Sequence, residues 1–217
     1  MLEPEIYIVT ILALLFTVTY IVGSRWNYKI QKKVWKTLSK EMKAYSKEVA
    51  FKGLGSSGFK IGCEPKTGPL AKLEVSIALL SREILLYHLF SKYKRKRDSI
   101  VIKSNFRKTP NFTLEIVKKG TKFHKETLKN PKLKELQCGK LSECFFLASS
   151  NSNLAMEFLS NRKVTPSVTR LSNDIERLSI TNIEPHLLLS CTMEEKTIRQ
   201  LLHLASVCGE TLESRFE

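Results

Sequence analysis

The most strongly patterned stretch of the chain is its beginning. From Ile6 to Ser24 run 19 residues without a charge. A helix of that length rises roughly 28 Å, close to the ~30 Å hydrocarbon thickness of a bilayer. Directly afterwards Ile30, Val34, Leu38, Met42, Tyr45 and Val49 recur every three or four positions, with Lys29, Lys32, Lys33, Lys36, Lys40, Lys43 and Lys47 mostly between them. That spacing predicts an amphipathic helix continuous with the apolar one.

Further on the period changes. Leu73, Val75, Ile77 and Leu79 alternate with Lys72, Glu74, Ser76 and Ala78, the signature of a half-buried strand. Residues 82–93 predict a short helix, because Ile84, Leu85, Tyr87, His88 and Leu89 are too crowded for alternation. Ile100/Ile102 and Phe112/Leu114/Ile116 predict two strands, joined into a hairpin by the Thr109-Pro110-Asn111 turn. Helices are expected at 120–129 and 132–137, a strand at 143–148, helices at 151–159 and 166–175, and strands at 177–183 and 186–192. Ile198, Leu201, Leu202, Ala205, Cys208 and Leu212 give the buried stripe of a final helix. This order predicts an α+β fold with antiparallel strand pairs. The expected divisions are a short tail (1–5), a transmembrane helix (6–24), a basic amphipathic helix (25–50), a basic α+β subdomain (51–137) and a second α+β subdomain (138–217).

Charge sharpens the picture. The 217 residues carry 36 Lys+Arg against 21 Asp+Glu, a formal net charge of +15. Residues 25–132 hold 27 bases and 8 acids, while both flanks are slightly acidic. A basic block of this kind seeks phosphate, in nucleic acid or in anionic lipid headgroups. A hydrophobic fraction of 42% excludes a disordered tail, and 9 Gly with 7 Pro exclude collagen-like sequence. Acids precede the apolar stretch and Arg25, Lys29, Lys32 and Lys33 follow it, the reverse of a cleaved signal peptide. By the positive-inside rule the N-terminus lies outside and everything after Arg25 in the cytosol. The expected compartment is the plasma membrane of a prokaryote, or the endoplasmic reticulum of a eukaryote. Tyr7, Tyr20 and Trp26 sit where amphipathic aromatics favour the interface.

Catalytic and metal chemistry is not signalled. Gly53-Leu54-Gly55-Ser56-Ser57-Gly58 matches GxGxxG. A dinucleotide fingerprint must follow a strand and open a helix, whereas here a helix precedes it, so a flexible loop is expected. Five widely spaced cysteines without a CxxC pair, and His88, His124, His186 and His203 without a metal spacing, predict reduced, mostly buried thiols, packing or surface histidines and no cofactor. With no GxSxG elbow and no Walker lysine either, the expectation is a protein that is not an enzyme.

The informative motif is Lys92-Tyr93-Lys94-Arg95-Lys96-Arg97. Arg offers a planar fork for phosphate, Lys a mobile charge and Tyr a stacking face. If the hairpin forms, Lys103, Arg107 and Lys108, with Lys118, Lys119 and Lys122, can share one side with this run. The run lies some 70 residues from the apolar stretch, which suits a patch facing away from the bilayer and toward RNA. Arg25, Trp26, Lys29, Lys32 and Lys33 then face the headgroups.

The sequence also resembles the calumin family, the coiled-coil-domain subunit of the PAT complex in the multipass translocon. The resemblance rests on Tyr20-Ile21-Val22-Gly23-Ser24 before an amphipathic helix, Gly58-Phe59-Lys60-Ile61-Gly62-Cys63-Glu64, Arg82-Glu83-Ile84-Leu85-Leu86-Tyr87-His88-Leu89 before the strand at 98–106, and Leu187-Leu188-Leu189 before the last helix. It implies a cytosolic domain that binds ribosomal RNA beside the Sec translocon, with other insertase subunits nearby, and assists biogenesis of multipass membrane proteins. This chain departs from that family in having neither its acidic luminal region nor its C-terminal coiled coil, which implies a compact version whose ribosome contact comes from the globular domain. The alternative is a membrane-anchored scaffold whose basic face binds anionic lipid or a protein partner without touching the ribosome.

Overall fold

The computed structural model describes residues 4–214; Met1, Leu2 and Glu3 of the expected N-terminal tail lie outside the described residues. A single 39-residue helix, α1 (Pro4–Met42), opens the chain. Its first five turns are exposed, and burial begins at Gly23 and continues through Asn27, Val34, Leu38 and Met42 on one face. The hydroxyls of Thr10, Thr17 and Thr19 donate back to the carbonyls of Ile6, Ala13 and Leu15. The apolar half thus leaves no threonine hydroxyl unpaired.

Nine strands follow: β1 (Ala50–Gly53), β2 (Gly58–Cys63), β3 (Leu70–Ala78), β4 (Ser99–Phe106), β5 (Leu114–Lys118), β6 (Lys134–Leu136), β7 (Phe145–Ser149), β8 (Ile175–Ile180) and β9 (Leu187–Thr192). They form one sheet in the order β1-β2-β3-β4-β9-β8-β5-β7-β6, antiparallel at every pairing. The helices are α2 (Leu85–Tyr93), α3 (Lys122–Leu128), α4 (Leu141–Cys144), α5 (Ser152–Leu159), α6 (Val164–Arg170) and α7 (Ile198–Glu213), the last entered through a 3₁₀ turn at Glu195–Thr197. The α+β class follows directly from this layout.

Alternation drives the layering. In β4, Ile100, Ile102, Ser104 and Phe106 are buried while the residues between them are half-buried. The buried sets of β2, β3, β4, β8 and β9 join Val34, Leu38 and Met42 of α1, the stripes of α5 and α6, and Ile198, Leu201, Ala205 and Cys208 of α7 in one core. β5 is buried on both faces. Its Val117, with Phe146 and Ala148 of β7, forms a second small core against Phe123 of α3 and Leu133.

Several expectations are corrected. The strands at 99–106 and 114–118 form no hairpin, since β9 and β8 lie between them. β4 instead takes its partners from β3 and β9, which give it two long apolar neighbours. Residues 132–137 are not a helix: Leu133 and Leu136 have helical spacing, but 134–136 pair with β7 as the edge strand β6. The expected strand at 143–148 begins two residues later, after α4, and the helix at 166–175 ends at Arg170 so that Ile175 can enter β8. The GxGxxG segment is the tight connection of the β1–β2 hairpin. The sheet does not divide at residue 137, because β5 and β6 sit among β8 and β7 of the second half.

Register gives the sheet two distinguishable ends. Ala78 pairs with Ser99, Ser99 with Thr192, and Lys118 with Phe145 at one end; Leu70 pairs with Phe106, and Leu114 with Ser149, at the other. α1 joins the first end at Asn27 and Gln31, whose side chains donate to the Leu80 and Gly55 carbonyls. The chain re-enters the sheet from α1 at Ala50, opposite Gly62, near the second end. The exposed half of α1 therefore projects from the end marked by Ala78 and Ser99.

Candidate anion-binding surface

The region between β3 and β4 is built on a buried polar knot. Arg82 donates through Nη2 to Asp98 Oδ2 at 2.8 Å and through Nη1 to Asp98 Oδ1 at 3.1 Å and to Asn27 Oδ1 at 2.8 Å. The Leu80 amide donates to Asp98 Oδ1 at 2.8 Å. Asn27, fully buried, donates to the Leu80 carbonyl at 2.9 Å and to Glu83 Oε2 at 3.3 Å, and Ser56 donates to the other Glu83 oxygen. Gly23 lets the backbones meet, since a Cβ there would lie 2.3 Å from the Arg82 carbonyl oxygen. Residues 82–98 are thus an excursion whose two feet, Arg82 and Asp98, are clamped together against α1 at Asn27.

α2 and the basic run make up that excursion. α2 closes with a Schellman arrangement: the Lys96 amide donates to the Ser91 carbonyl and the Arg95 amide to the Lys92 carbonyl. Arg95 occupies the left-handed position, at φ 51°, where glycine is the residue without a Cβ penalty. Lys92 to Arg97 are all exposed. The Lys94 ammonium stands 4.4 Å from the Phe90 ring centre and that of Lys96 5.3 Å from the Tyr87 ring centre, within cation–π range.

This placement corrects the expectation that the run faces away from the apolar helix. Seventy residues of chain return to the point where the apolar stretch ends. A nine-residue helix spans about 14 Å, so the whole run stays near Gly23 and Asn27. Arg25, Trp26, Lys29, Lys32 and Lys33 are exposed on α1 beside it, with the Arg82 guanidinium 5.7 Å from the Trp26 ring centre and Lys33 paired to Glu195 at 2.6 Å.

The remaining candidate bases do not form one patch with the run. Lys118 and Lys119 lie at the same end of the sheet but on β5 and just after it, three strand spacings, about 14 Å, from β4. Their ammonium groups bond the carbonyls of Asn173 and Ser142, and that of Lys122 stands over the Phe123 ring. Arg107 and Lys108 follow the far end of β4, about 26 Å from Ser99. Arg107 is turned onto the Gly68 and Pro65 carbonyls. Lys103 points to the half-buried polar face at mid-strand, in register with Glu74.

The sequence reading missed Asn27, Arg82 and Asp98 as a unit. It also missed what α2 shows outward: Leu86, Tyr87, Leu89, Phe90 and Tyr93 are exposed. The available signal was an apolar content at 84–90 greater than one helix face requires.

Other sites offer less chemistry. An open depression of about 980 Å³ is lined by Phe51, Lys60, Cys63, Glu74 and Arg107 among others. Burial pushes the Cys63 thiol up to about 11 and that of Cys208 up to about 12, and raises Cys191 and Cys138 as well. These thiols stay protonated at neutral pH and are poor nucleophiles. Among the described residues no three His, Cys, Asp or Glu side chains are grouped to hold a metal ion.

No family model matches the sequence, and no curated protein matches it. Among solved structures, the crystal structure of the mycobacterial trehalose monomycolate transport factor A is similar over 72% of this chain and 71% of that chain, at 11% identity and a TM-score of 0.40. Among the described residues α1 is the one helix long and apolar enough to cross a membrane, with a mean hydropathy of 2.3 in its most apolar window.

Proposed function

We propose that this chain is a single-span, non-catalytic membrane protein whose α+β domain binds the anionic cytosolic leaflet beside its own anchor. In this reading α1 crosses the bilayer over residues 6–24 with its N-terminus outside, and Arg25, Lys29 and Lys92–Arg97 meet the headgroups, with Lys32 a turn further along α1 and Lys33 held by Glu195. The observation that carries it is the clamp of Arg82 and Asp98 onto Asn27, three residues past Ser24, where the uncharged stretch ends. Bases held within a Debye length of an anionic surface contribute roughly 1 kcal/mol each. A run of five is ample to press a tethered domain onto the membrane.

Hydrogen exchange on the full-length protein in nanodiscs with and without phosphatidylserine tests this. Amides of 84–97 are expected to be slowed in the anionic discs, less so as salt rises, and not at all when Lys94, Arg95, Lys96 and Arg97 are all changed to Glu. Equal exchange in both lipids overturns the lipid assignment.

The second reading, implied by the resemblance to the calumin family, is contact with ribosomal RNA beside a Sec channel. One observation bears on it: Arg107 and Lys108 stand at the sheet end opposite the apolar helix, with Arg107 turned onto the Gly68 and Pro65 carbonyls. Ribosome co-sedimentation that is lost on Arg107→Glu/Lys108→Glu but kept when residues 94–97 are reversed would support it.

A further inference from the structure

α2 is amphipathic in the wrong sense for water. Its inward stripe is Leu85, His88 and Ser91, and Ser91 is fully buried with its hydroxyl unpartnered, as is the Nδ1 of His88. Its outward side carries Leu86, 70% exposed, Leu89, Phe90 and Tyr93, 85% exposed, with Ile84 just before the helix. A helix covering a soluble core places its apolar stripe inward and its polar residues outward. Here two of the three inward side chains, His88 and Ser91, are polar, and the exposed side is mostly large and apolar.

We propose that the outer face of α2 sits in the acyl–headgroup boundary of the leaflet from which α1 emerges, making residues 84–97 a second, monotopic membrane contact. The inference rests on the anchoring proposed above, and it assigns a lipid-inserting role to Leu86, Leu89, Phe90 and Tyr93.

Three observations choose a bilayer as the occupant. The excursion is rooted at Asn27, so its apolar face lies at the level where the span ends. Interfacial helices bury their apolar face about 5–10 Å into that boundary and carry Lys and Arg on the other side, and here the basic run follows without a gap. The Lys94 and Lys96 ammonium groups stand over the Phe90 and Tyr87 rings, so charge and apolar surface lie side by side, as a lipid boundary requires. A rigid knot behind α2 then means that the domain is held at two points, and its strands keep one orientation to the membrane.

The test places a bimane fluorophore on single cysteines of the full-length protein in anionic nanodiscs with brominated acyl chains. Cys138→Ser and Cys144→Ser remove the two less buried thiols. Probes go at Leu86→Cys on α2, Thr67→Cys at the far sheet end and Leu14→Cys in the apolar helix, all exposed. The proposal expects brominated lipid to lower emission about twofold or more at Leu86→Cys, as for a group below the headgroups, with none at Thr67→Cys. Quenching at Leu14→Cys without quenching at Leu86→Cys overturns the α2 insertion and leaves the anchor standing. Absence of quenching at all three positions overturns the anchor and, with it, this inference.

Discussion

Arg82→Met is the perturbation that separates a clamped excursion from a merely adjacent one. It keeps an unbranched stem and removes three hydrogen bonds, two to Asp98 and one to Asn27, at 2.8–3.1 Å. It also strands Asp98, whose side chain is 11% exposed, with only the Leu80 amide still donating to it. Breaking a buried pair from one side costs about 3–5 kcal/mol, because the remaining charge is left without its partner. Neither side chain here is wholly dry, so the loss belongs near the lower end, about 3 kcal/mol. Adding Asp98→Asn removes the stranded charge. The double variant is then expected to be less destabilised than the sum of the singles by about 2 kcal/mol, the coupling of a close charged pair. Urea denaturation of full-length protein in detergent, followed by circular dichroism, reads all three variants against the parent. A loss below about 1 kcal/mol for Arg82→Met, or strict additivity in the double variant, would refute the view that the knot bears the load of residues 82–98.

Gly58 has φ +138°, and a Cβ there would lie 2.0 Å from the Ile77 carbonyl oxygen; Gly58→Ala is expected to cost at least about 2 kcal/mol by the same denaturation assay, and a change under half of that would contradict the strain. Arg95→Gly should raise stability by about 1 kcal/mol by relieving a left-handed non-glycine residue, yet weaken the anionic-lipid protection of residues 84–97; a variant that is no more stable would argue against the Schellman closure. Cys144 is expected to react with a thiol reagent in the native protein while Cys63, Cys191 and Cys208 react only on unfolding, and rapid native labelling of Cys208 would contradict its burial. Because the folded-state values of Cys63 and Cys208 are raised from 9.0 to about 11 and about 12, the unfolded chain loses these protons first. Their stabilisation is therefore complete below pH 9 and declines as pH rises through that interval. A Cys208→Ala variant should show a shallower alkaline decline, and an identical slope would count against the assignment.

What was legible in the sequence is what local periodicity encodes. The apolar run and the spacing from Ile30 specify α1, although the helix ends at Met42 and leaves Tyr45 and Val49 of the predicted stripe beyond it; the alternation from Leu73 to Ile77 specifies β3 with its buried face correct. Strand partners were not legible, because pairing is decided by which apolar surfaces meet in three dimensions. Ile100, Ile102 and Leu114 have the same look whether they face each other or are separated by two strands that arrive 70 residues later. β1 was missed because all four of its residues are exposed, so it carries no alternation. Lys92–Arg97 stood out by composition alone. The polarity of α2 did not, since the crowding from Ile84 to Leu89 predicts a helix without saying which side the fold turns inward.

The net charge takes on direction once the sheet has ends. Strands joined to α1 at Asn27 and left at Phe106 run away from the bilayer in the proposed anchoring, and the bases after residue 25 sort by that axis. Arg25, Lys29, Lys32, Lys33 and Lys92–Arg97 gather at the near end beside α1, Lys118, Lys119 and Lys122 lie at the same end but about 14 Å across the sheet, Lys103 stands at mid-strand, and Arg107 and Lys108 stand about 26 Å away. Interactions between exposed charges are largely screened beyond about 8 Å at physiological ionic strength, so a planar bilayer met by the near-end bases is out of reach of Arg107 and Lys108. A near-end group rimmed by exposed Leu, Phe and Tyr matches a lipid boundary, where charge and apolar area are satisfied together. A far-end base already turned onto backbone carbonyls matches a structural role for Arg107. The lipid assignment therefore gains from the same separation that divides the candidate bases, and an RNA partner has to be sought at the far end.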